Sequence, residues 1–241
     1  MMNIDAKNMH FAELDRLVKS ASDSEITIDN VLGQRYIAAG ASGKHITING
    51  VPGNALGAYM DGCRIDVHGN AQDAVGDTMN DGTLVIYGNC GDTAGYGMRG
   101  GRIFIRGYAG WRVGIHMKEY GSAVPDIVVG GSAGAYLGEY QAGGRIVVLG
   151  IGCEDRQCVG DFTSTGMHGG RIYVRSRFVP ADLPRQTEAH PVTDKSELEP
   201  LVREFCGYFG YDADKLLADD YFVLTPSTAY IYKRMYTNRP Q

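Results

Sequence analysis

The chain has no excess of positive charge and no long apolar run. Its 23 lysines and arginines are outnumbered by 28 acidic residues, so the net charge is -5, whereas nucleic-acid binding usually needs a basic face. No apolar run approaches the roughly 20 residues that a membrane-spanning helix needs. The N-terminal segment carries acidic side chains and no apolar signal core. We therefore predict a cytoplasmic protein that binds neither nucleic acid nor membrane.

Cysteine is scarce, and its number is odd. Without an export signal, we expect the five cysteines to be reduced thiols. Cys153 and Cys158 bracket four residues, which is not the Cys-x-x-Cys spacing of redox and metal sites. We interpret them as an ordinary pair of thiols, and whether they have a role stays open. Cys63 and Cys90 lie within a repeating pattern and are expected to be small buried hydrophobic residues.

No histidine pair has the spacing of a metal-binding helix, such as His-x-x-x-His. His116 lies near Lys118 and Glu119 on a segment that we expect to protrude. A contact role fits this cluster better than acid-base catalysis. The sequence therefore assigns no catalytic, cofactor-binding or metal-binding residue.

Glycine is abundant but unevenly placed, since 32 of the 34 glycines lie between Gly33 and Gly170. Within this region apolar triplets recur with spacings of 20, 19, 19, 19, 24, 19 and 26 residues: Ile26–Ile28, Ile46–Ile48, Ile65–Val67, Leu84–Ile86, Ile103–Ile105, Ile127–Val129, Ile146–Val148 and Ile172–Val174. Such triplets predict strands, and a fixed period near 20 residues is typical of solenoids. Glycines spaced seven apart supply the corners.

These features predict an all-β solenoid, namely a right-handed single-stranded β-helix of about 7–8 coils. A short N-terminal helix over residues 5–20 and a C-terminal helical tail would flank it. The glycine distribution divides the chain into an N-terminal helical cap (residues 1–25), a β-helix domain (26–176), and a linker with a helical, aromatic tail (177–241).

The tail has different chemistry from the body. Thr193 or Asp194 can cap a helix that runs to Phe209, although Pro200 interrupts its first turns. A short helix near Ala213–Ala218 and a strand at Tyr221–Leu224 follow. We expect the tail to pack along the body or to close its C-terminal edge, using its aromatic residues: Tyr208, Phe209, Tyr211, Tyr221, Phe222, Tyr230, Tyr232 and Tyr236.

Two repeats are longer than the others, with insertions near 116–125 and 152–165. Extra residues in a repeat protein leave the body as loops, so these are candidate contact surfaces. Trp111 and Arg112 replace the small corner residues of other repeats, which favours a protein interface. Packing of Trp111 under the neighbouring insertion explains the pair equally well.

One glycine motif invites a nucleotide-binding interpretation. Gly95-Tyr-Gly97-Met-Arg-Gly100 matches the dinucleotide pattern G-x-G-x-x-G, which functions only where it follows a strand and opens a helix. Here a predicted strand follows at once, and the glycines are in phase with the repeat. Corner glycines therefore explain the motif.

Several segments resemble the C-terminal GXGXG domain of the glutamate synthase large chain. They are Gly57–Gly62, Gly69–Gly76, Gly138–Gly150 and Gly166–Val174. Stand-alone versions of that domain exist, and one of the subunits of formylmethanofuran dehydrogenase is a relative. The resemblance covers residues 26–174. It implies a non-catalytic β-helix that holds a glutaminase domain and a flavin-binding domain in place.

The chain departs from the complete enzyme that it resembles. It is too short to hold a flavin barrel as well, and it carries neither an N-terminal cysteine nucleophile nor an iron–sulfur cysteine cluster. The resemblance therefore implies a structural subunit of a glutamate-synthase-like complex in nitrogen metabolism. It would have no cofactor of its own, FMN and iron–sulfur centres belonging to glutaminase-like and FMN-dependent synthase-like partners. The alternative is a stand-alone binding module or a self-associating scaffold with its own ligand.

Overall fold

The structure is a computed structural model that describes residues 1–227. Three short helices accompany eleven strands over this range. In chain order the elements are β1 (Met2–Asp5), α1 (Phe11–Ser20), β2 (Glu25–Leu32), β3 (His45–Val51), β4 (Asp61–His68), β5 (Asp81–Ile86), β6 (Arg102–Ile105), β7 (Asp126–Val129), β8 (Ala142–Val148), β9 (Gly169–Arg175), β10 (Thr187–Pro191), α2 (Glu199–Phe209), α3 (Ala213–Ala218) and β11 (Tyr221–Pro226).

All strands of residues 1–227 belong to one open sheet. Its order is β1-β2-β3-β4-β5-β6-β7-β8-β9-β11-β10. Strands β1 to β9 pair in parallel with their sequence neighbours, whereas β11 pairs antiparallel with both β9 and β10. Strands β1 and β10 therefore form the two edges.

The predicted fold class, a right-handed single-stranded β-helix of about 7–8 coils, was wrong. The structure has a single 11-stranded, mostly parallel sheet with few helices. The prediction treated residues 1–25 as a helical cap, but Met2–Asp5 is a strand paired with β2. It also assigned one strand to the tail, which contributes two. These segments are short and lie outside the repeat, so the repeat gave no signal for them.

The eight predicted triplets all lie in β2 to β9. They are aligned in register, so that Ile46 faces Ile65 and Leu84 faces Ile103. Their first and third residues form the main hydrophobic core. Because alternate residues point to opposite faces, the middle residues form the other face of the sheet.

Helices α2 and α3 cover that other face over β5 to β9. Phe104 and Tyr173 are middle residues of their triplets, and they pack in a second core with Phe205 and Tyr221. The tail thus both packs on the sheet and extends it through β11 and β10, whereas the sequence predicted these roles as alternatives and only the strand at β11. Tyr230, Tyr232 and Tyr236 lie outside the described residues.

Ion pairs join the tail to the start of the strands. Arg102 pairs with Glu204 of α2, and Arg171 lies 3.4 Å from Glu197. Arg145 donates two hydrogen bonds to the buried carboxylate of Asp126. Burial raises the pKa of Asp126 above its ordinary value, against the opposing effect of Arg145. Because Glu197 lies beside β9 and Glu204 beside β6, the tail crosses the strands of the sheet.

Helix α2 begins at Glu199, later than the predicted caps Thr193 and Asp194. Pro200 has no N–H group, so it fits only the first turn of a helix. The Asp194 carboxylate instead accepts a hydrogen bond from the Ser196 amide. The helix ends at Phe209 and is capped by Gly210, which has a φ of +74°, and α3 has the predicted bounds.

Two glycines at strand starts, Gly62 within β4 and Gly101 just before β6, allow a test of how closely successive segments approach. Gly62 and Gly101 have φ values of +81° and +77°, but a Cβ at Gly101 would lie 2.7 Å from the Gly82 carbonyl oxygen, whereas Gly62 faces open space. We expect Gly62→Ala to lower the free energy of unfolding by about 1 kcal/mol from left-handed strain. Gly101→Ala should cost about 3 kcal/mol, because overpacking adds to that strain.

The measurement is urea unfolding of both variants, with Gly62→Ala as the matched control. Equal losses for the two variants would show that backbone conformation alone, and not the close approach at Gly101, makes glycine necessary.

Candidate functional site

The segments between strands share an unusual backbone pattern. Seven successive segments each have three residues in the left-handed region, at positions that we call first, second and third and that are two residues apart. Arg112, Gly114 and His116 have φ values of +58°, +68° and +55°. Neighbouring segments are joined at these residues, since the amide of Arg112 donates to the Ala135 carbonyl and that of His116 to the Glu139 carbonyl.

The second position faces the core, which explains its residue type. A Cβ at Gly114 would lie 2.5 Å from Cδ1 of Ile146, and one at Gly138 would lie 2.5 Å from Cδ1 of Ile172. Both isoleucines are fully buried, so they have no free space into which to move. Glycine is therefore required at these positions.

At the first and third positions, large side chains are concentrated over residues 112–162, although Tyr36 and Tyr59 also occupy such positions. Bulky residues there are Arg112, His116, Tyr136, Tyr140 and Phe162, all with positive φ. A left-handed conformation costs an ordinary residue about 1–2 kcal/mol, and it is a true outlier for a bulky one. Backbone strain of this kind is concentrated at functional sites. We therefore take these residues as the candidate site.

One column of side chains runs along the first positions. The ring of Tyr136 stacks on that of Phe162 with centroids 5.0 Å apart and an interplanar angle of 22°. The Arg112 guanidinium lies 5.0 Å from the centroid of the Tyr136 ring. Its Nε also donates a 3.0 Å hydrogen bond to Glu139, which orients the guanidinium.

A second column runs along the third positions. His116 stacks on Tyr140 with centroids 5.1 Å apart, and Tyr96 meets His116 edge-on at 5.9 Å. The Tyr140 ring lies over Gly166, where a Cβ would be 2.5 Å from the ring. The rings are thus held by packing, although Tyr140 is 43% and Phe162 52% exposed.

We name this set the aromatic surface: Tyr96, Trp111, Arg112, His116, Tyr136, Tyr140 and Phe162. Exposed, preorganised aromatic rings beside an arginine are typical of the central part of protein interfaces. The chemistry that this surface offers is therefore binding.

The sequence predicted part of this surface. Trp111 is 55% exposed, which contradicts the alternative that it packs under the neighbouring insertion. The insertion at 152–165 carries Phe162. The other insertion forms a tight turn with mutual backbone hydrogen bonds between Tyr120 and Ala123. A contact role for the two insertions remains a prediction.

His116 and Glu119, which the sequence grouped with Lys118 in one cluster, contact different parts of the structure. His116 stacks on Tyr140, while Glu119 accepts a hydrogen bond from the Gly144 amide. Burial lowers the pKa of His168, and the nearby His116 adds to this effect. Within residues 1–227 no three histidine, cysteine or acidic side chains are arranged to hold a metal ion.

The remaining motif residues have structural positions. Gly95 and Gly97 are left-handed corners, and strand β6 follows them, so the corner interpretation is confirmed. All five cysteines are free and buried. This confirms the burial predicted for Cys63 and Cys90. Burial raises the pKa of Cys158 to about 11.

Sequence reasoning missed the pairs of large residues that flank the second-position glycines. The signal was present, because Arg112 and His116 lie two residues on either side of Gly114, as Tyr136 and Tyr140 do for Gly138. Detecting it requires knowing that all three positions are left-handed, which composition does not reveal. Across the described part of the chain, no helix is long and apolar enough to cross a membrane.

Comparisons with known proteins agree with this architecture. Residues 7–231 match the family model described as GXGXG motif. The uncharacterized protein MJ1350 of Methanocaldococcus jannaschii is 42% identical over 253 residues, covering 97% of this chain and 95% of that protein. A chain in the crystal structure of the formyltransferase/hydrolase complex FhcABCD from Methylorubrum extorquens with methylofuran aligns with a TM-score of 0.63. It covers 91% of this chain and 88% of that one at 20% identity, so the likeness is one of fold.

Replacing the strained aromatic residues by glycine should leave the isolated chain nearly as stable. In Tyr140→Gly and Phe162→Gly, relief of about 1–2 kcal/mol of left-handed strain offsets the lost stacking and the greater entropy of the unfolded glycine chain. We expect the free energy of unfolding to change by less than about 1 kcal/mol. Leu137→Ala, a buried change in the same segment, should cost about 2–5 kcal/mol.

The free energies of unfolding of the three variants are measured by chemical denaturation. A loss at Tyr140 or Phe162 as large as that at Leu137 would mean that these rings serve the fold rather than an interaction.

Proposed function

Because the chain belongs to the GXGXG motif family, we propose that it is a structural subunit of an oxidoreductase complex resembling glutamate synthase. Its partners in this proposal are a glutaminase-like subunit, which releases ammonia, and an FMN-dependent synthase-like subunit, which consumes it. The chain itself catalyses neither step. FMN and iron–sulfur centres belong to the partners.

The observation that carries the proposal is the strain in the aromatic surface. Five bulky residues of this surface adopt left-handed backbone, although the neighbouring segments 74–78 and 93–97 place only alanine, threonine or glycine at the same positions. Their exposed rings bury little apolar area in the isolated chain, so the fold gains little in return for the strain. A partner subunit that covers the rings supplies the compensating free energy, because burying aromatic residues dominates interface energetics.

A scaffold role also fits the physical properties of the sheet. The parallel strands and the joined segments between them form one continuous hydrogen-bonded structure. Such a structure keeps two attached proteins at a fixed separation and orientation. Ammonia passed between two active sites requires this constancy, because it diffuses away when the sites separate. The similar fold of a chain in the FhcABCD complex supports a subunit role in general.

The first test is isolation of the complex from the native host. We expect a tagged chain, purified under mild conditions, to co-elute with a glutaminase-like protein and with a yellow or brown flavoprotein. Mass spectrometry identifies the partners, and the visible spectrum identifies flavin and iron–sulfur centres. A colourless preparation that contains only this chain as a defined homo-oligomer would contradict the proposal and favour the stand-alone module.

Variants of the aromatic surface test which residues bind the partner. Tyr140→Ala should weaken binding of the partner subunit at least about tenfold, as for interface aromatic residues generally. Tyr59→Ala is the matched control. Tyr59 also occupies a third position, with a φ of +57° and 59% exposure, but it lies outside the aromatic surface.

Affinity is measured between separately purified subunits by titration calorimetry or biolayer interferometry. Equal effects of the Tyr140 and Tyr59 variants would move the interface away from the aromatic surface without affecting the proposal of a complex.

A further inference from the structure

A cleft of about 410 Å3 lies apart from the aromatic surface. It opens where the chain leaves β5, β6, β7 and β8, and one wall comes from the residues after α2. Side chains from these places meet there, among them Tyr87, Arg106, Tyr108, Arg156 and Tyr211. A cleft of this volume has the size of a small-molecule site.

Glycines form the floor of the cleft. Gly88, Gly107 and Gly131 follow three successive strands and line it side by side. A Cβ at Gly107 would overlap Oδ1 of Asn89, and one at Gly88 would overlap Oδ1 of Asn70. Close packing of neighbouring segments therefore excludes side chains here, and the floor stays open to a ligand.

The tyrosine walls are already held in place. The ring of Tyr87 lies between His68, with centroids 4.7 Å apart, and Phe209, with centroids 5.3 Å apart. Tyr211 stacks on Phe205 at 5.7 Å with an interplanar angle of 13°. A ligand that binds between these rings does not need to order them first, which lowers the entropic cost of binding.

The cleft has an excess of positive charge and of hydrogen-bond donors. No acidic residue lines it. Within residues 1–227, neither Arg106 nor Arg156 forms an ion pair, and the Arg156 guanidinium donates only to the thiol of Cys153, at 3.5 Å. The adjoining smaller cavity differs, since its Arg175 is paired with Asp219 at 2.7 Å. Over the same described range, the hydroxyls of Tyr87, Tyr108 and Tyr211 have no hydrogen-bond partner in the protein.

We propose that this cleft binds a small organic anion with a planar body. Guanidinium groups match the paired oxygens of carboxylate and phosphate, so Arg106 and Arg156 would hold the anionic groups. The tyrosine hydroxyls add donors, and the tyrosine rings contact the planar body. The cleft and the aromatic surface share no residue, so this inference does not depend on the proposed function.

The test uses the purified full chain and four probes: phenyl phosphate, phthalate, inorganic phosphate and uncharged benzyl alcohol. We expect saturable binding of phenyl phosphate or phthalate in titration calorimetry, with the preferred probe identifying the anionic group. Benzyl alcohol should not bind measurably, and inorganic phosphate should bind at least about tenfold more weakly, because it lacks the ring.

Three arginine variants locate the site. Arg106→Gln and Arg156→Gln should each weaken binding of the preferred probe by about 10- to 100-fold, as for loss of a charge-assisted hydrogen bond. Arg99→Gln is the matched control, since Arg99 is exposed, forms no ion pair within residues 1–227 and lies outside the cleft. It should change binding less than twofold (about 0.4 kcal/mol). Because both cleft arginines are exposed, the variants should fold normally, which circular dichroism and thermal unfolding check.

Absence of saturable binding of both ring-bearing anions would overturn the proposal. So would an equal loss in the Arg99 variant, which would indicate general attraction between charges. Inorganic phosphate that binds as tightly as phenyl phosphate would overturn the assignment of an organic ligand.

Discussion

The structure depends on in-register pairing of successive segments that lie very close together. Each triplet stacks on the next, as Ile46 does on Ile65, and the segments between strands are joined by their own backbone hydrogen bonds. This proximity leaves no room for a Cβ at Gly114 or Gly138, whose neighbours Ile146 and Ile172 are fully buried. Close packing therefore accounts for many of the glycines of residues 33–170, whereas others, such as Gly62, supply a left-handed backbone conformation in open space.

The same constraint separates the positions that serve the fold from those free to serve binding. Within one segment the second left-handed residue faces the core and stays small, whereas the first and third vary in size from glycine, as at Gly97, to tyrosine, as at Tyr140. Five bulky residues in this conformation cost several kcal/mol at about 1–2 kcal/mol each, which is a large fraction of the stability of a typical domain. The sheet tolerates this cost because its hydrogen bonds determine the backbone whatever side chain is attached. The fold therefore does not require large side chains at the first and third positions.

The sequence predicted the strands that belong to the repeat but not the short strands outside it. The triplets predicted β2 to β9, because apolar alternation in a fixed period survives without knowledge of the tertiary structure. Strands β1 and β10 are short and outside the repeat, and only their pairing with β2 and β11 makes them strands. Of the aromatic surface, Trp111 and Arg112 were identified by their size at a corner, but the columns on Tyr136 and Tyr140 follow from left-handed backbone. The cleft was beyond sequence reasoning, because Tyr87 and Tyr211 are far apart in the chain and meet only through α2.

The polarity of the second face of the sheet, formed by the middle residues of the triplets, matches the position of the tail. The middle residues of the triplets are polar in the first strands, at Thr27, Thr47 and Asp66, and become apolar from Val85 onwards. The change coincides with the edge of the second core, which begins at Val85 and ends at Tyr173. Beyond Val85, helix α2 meets β4 through a polar contact, in which the Arg64 guanidinium lies over the Tyr208 ring and donates a 3.3 Å hydrogen bond to its hydroxyl. The end of α2 then places Tyr211 beside the strand exits, so the helix that covers this face of the sheet also positions one wall of the cleft.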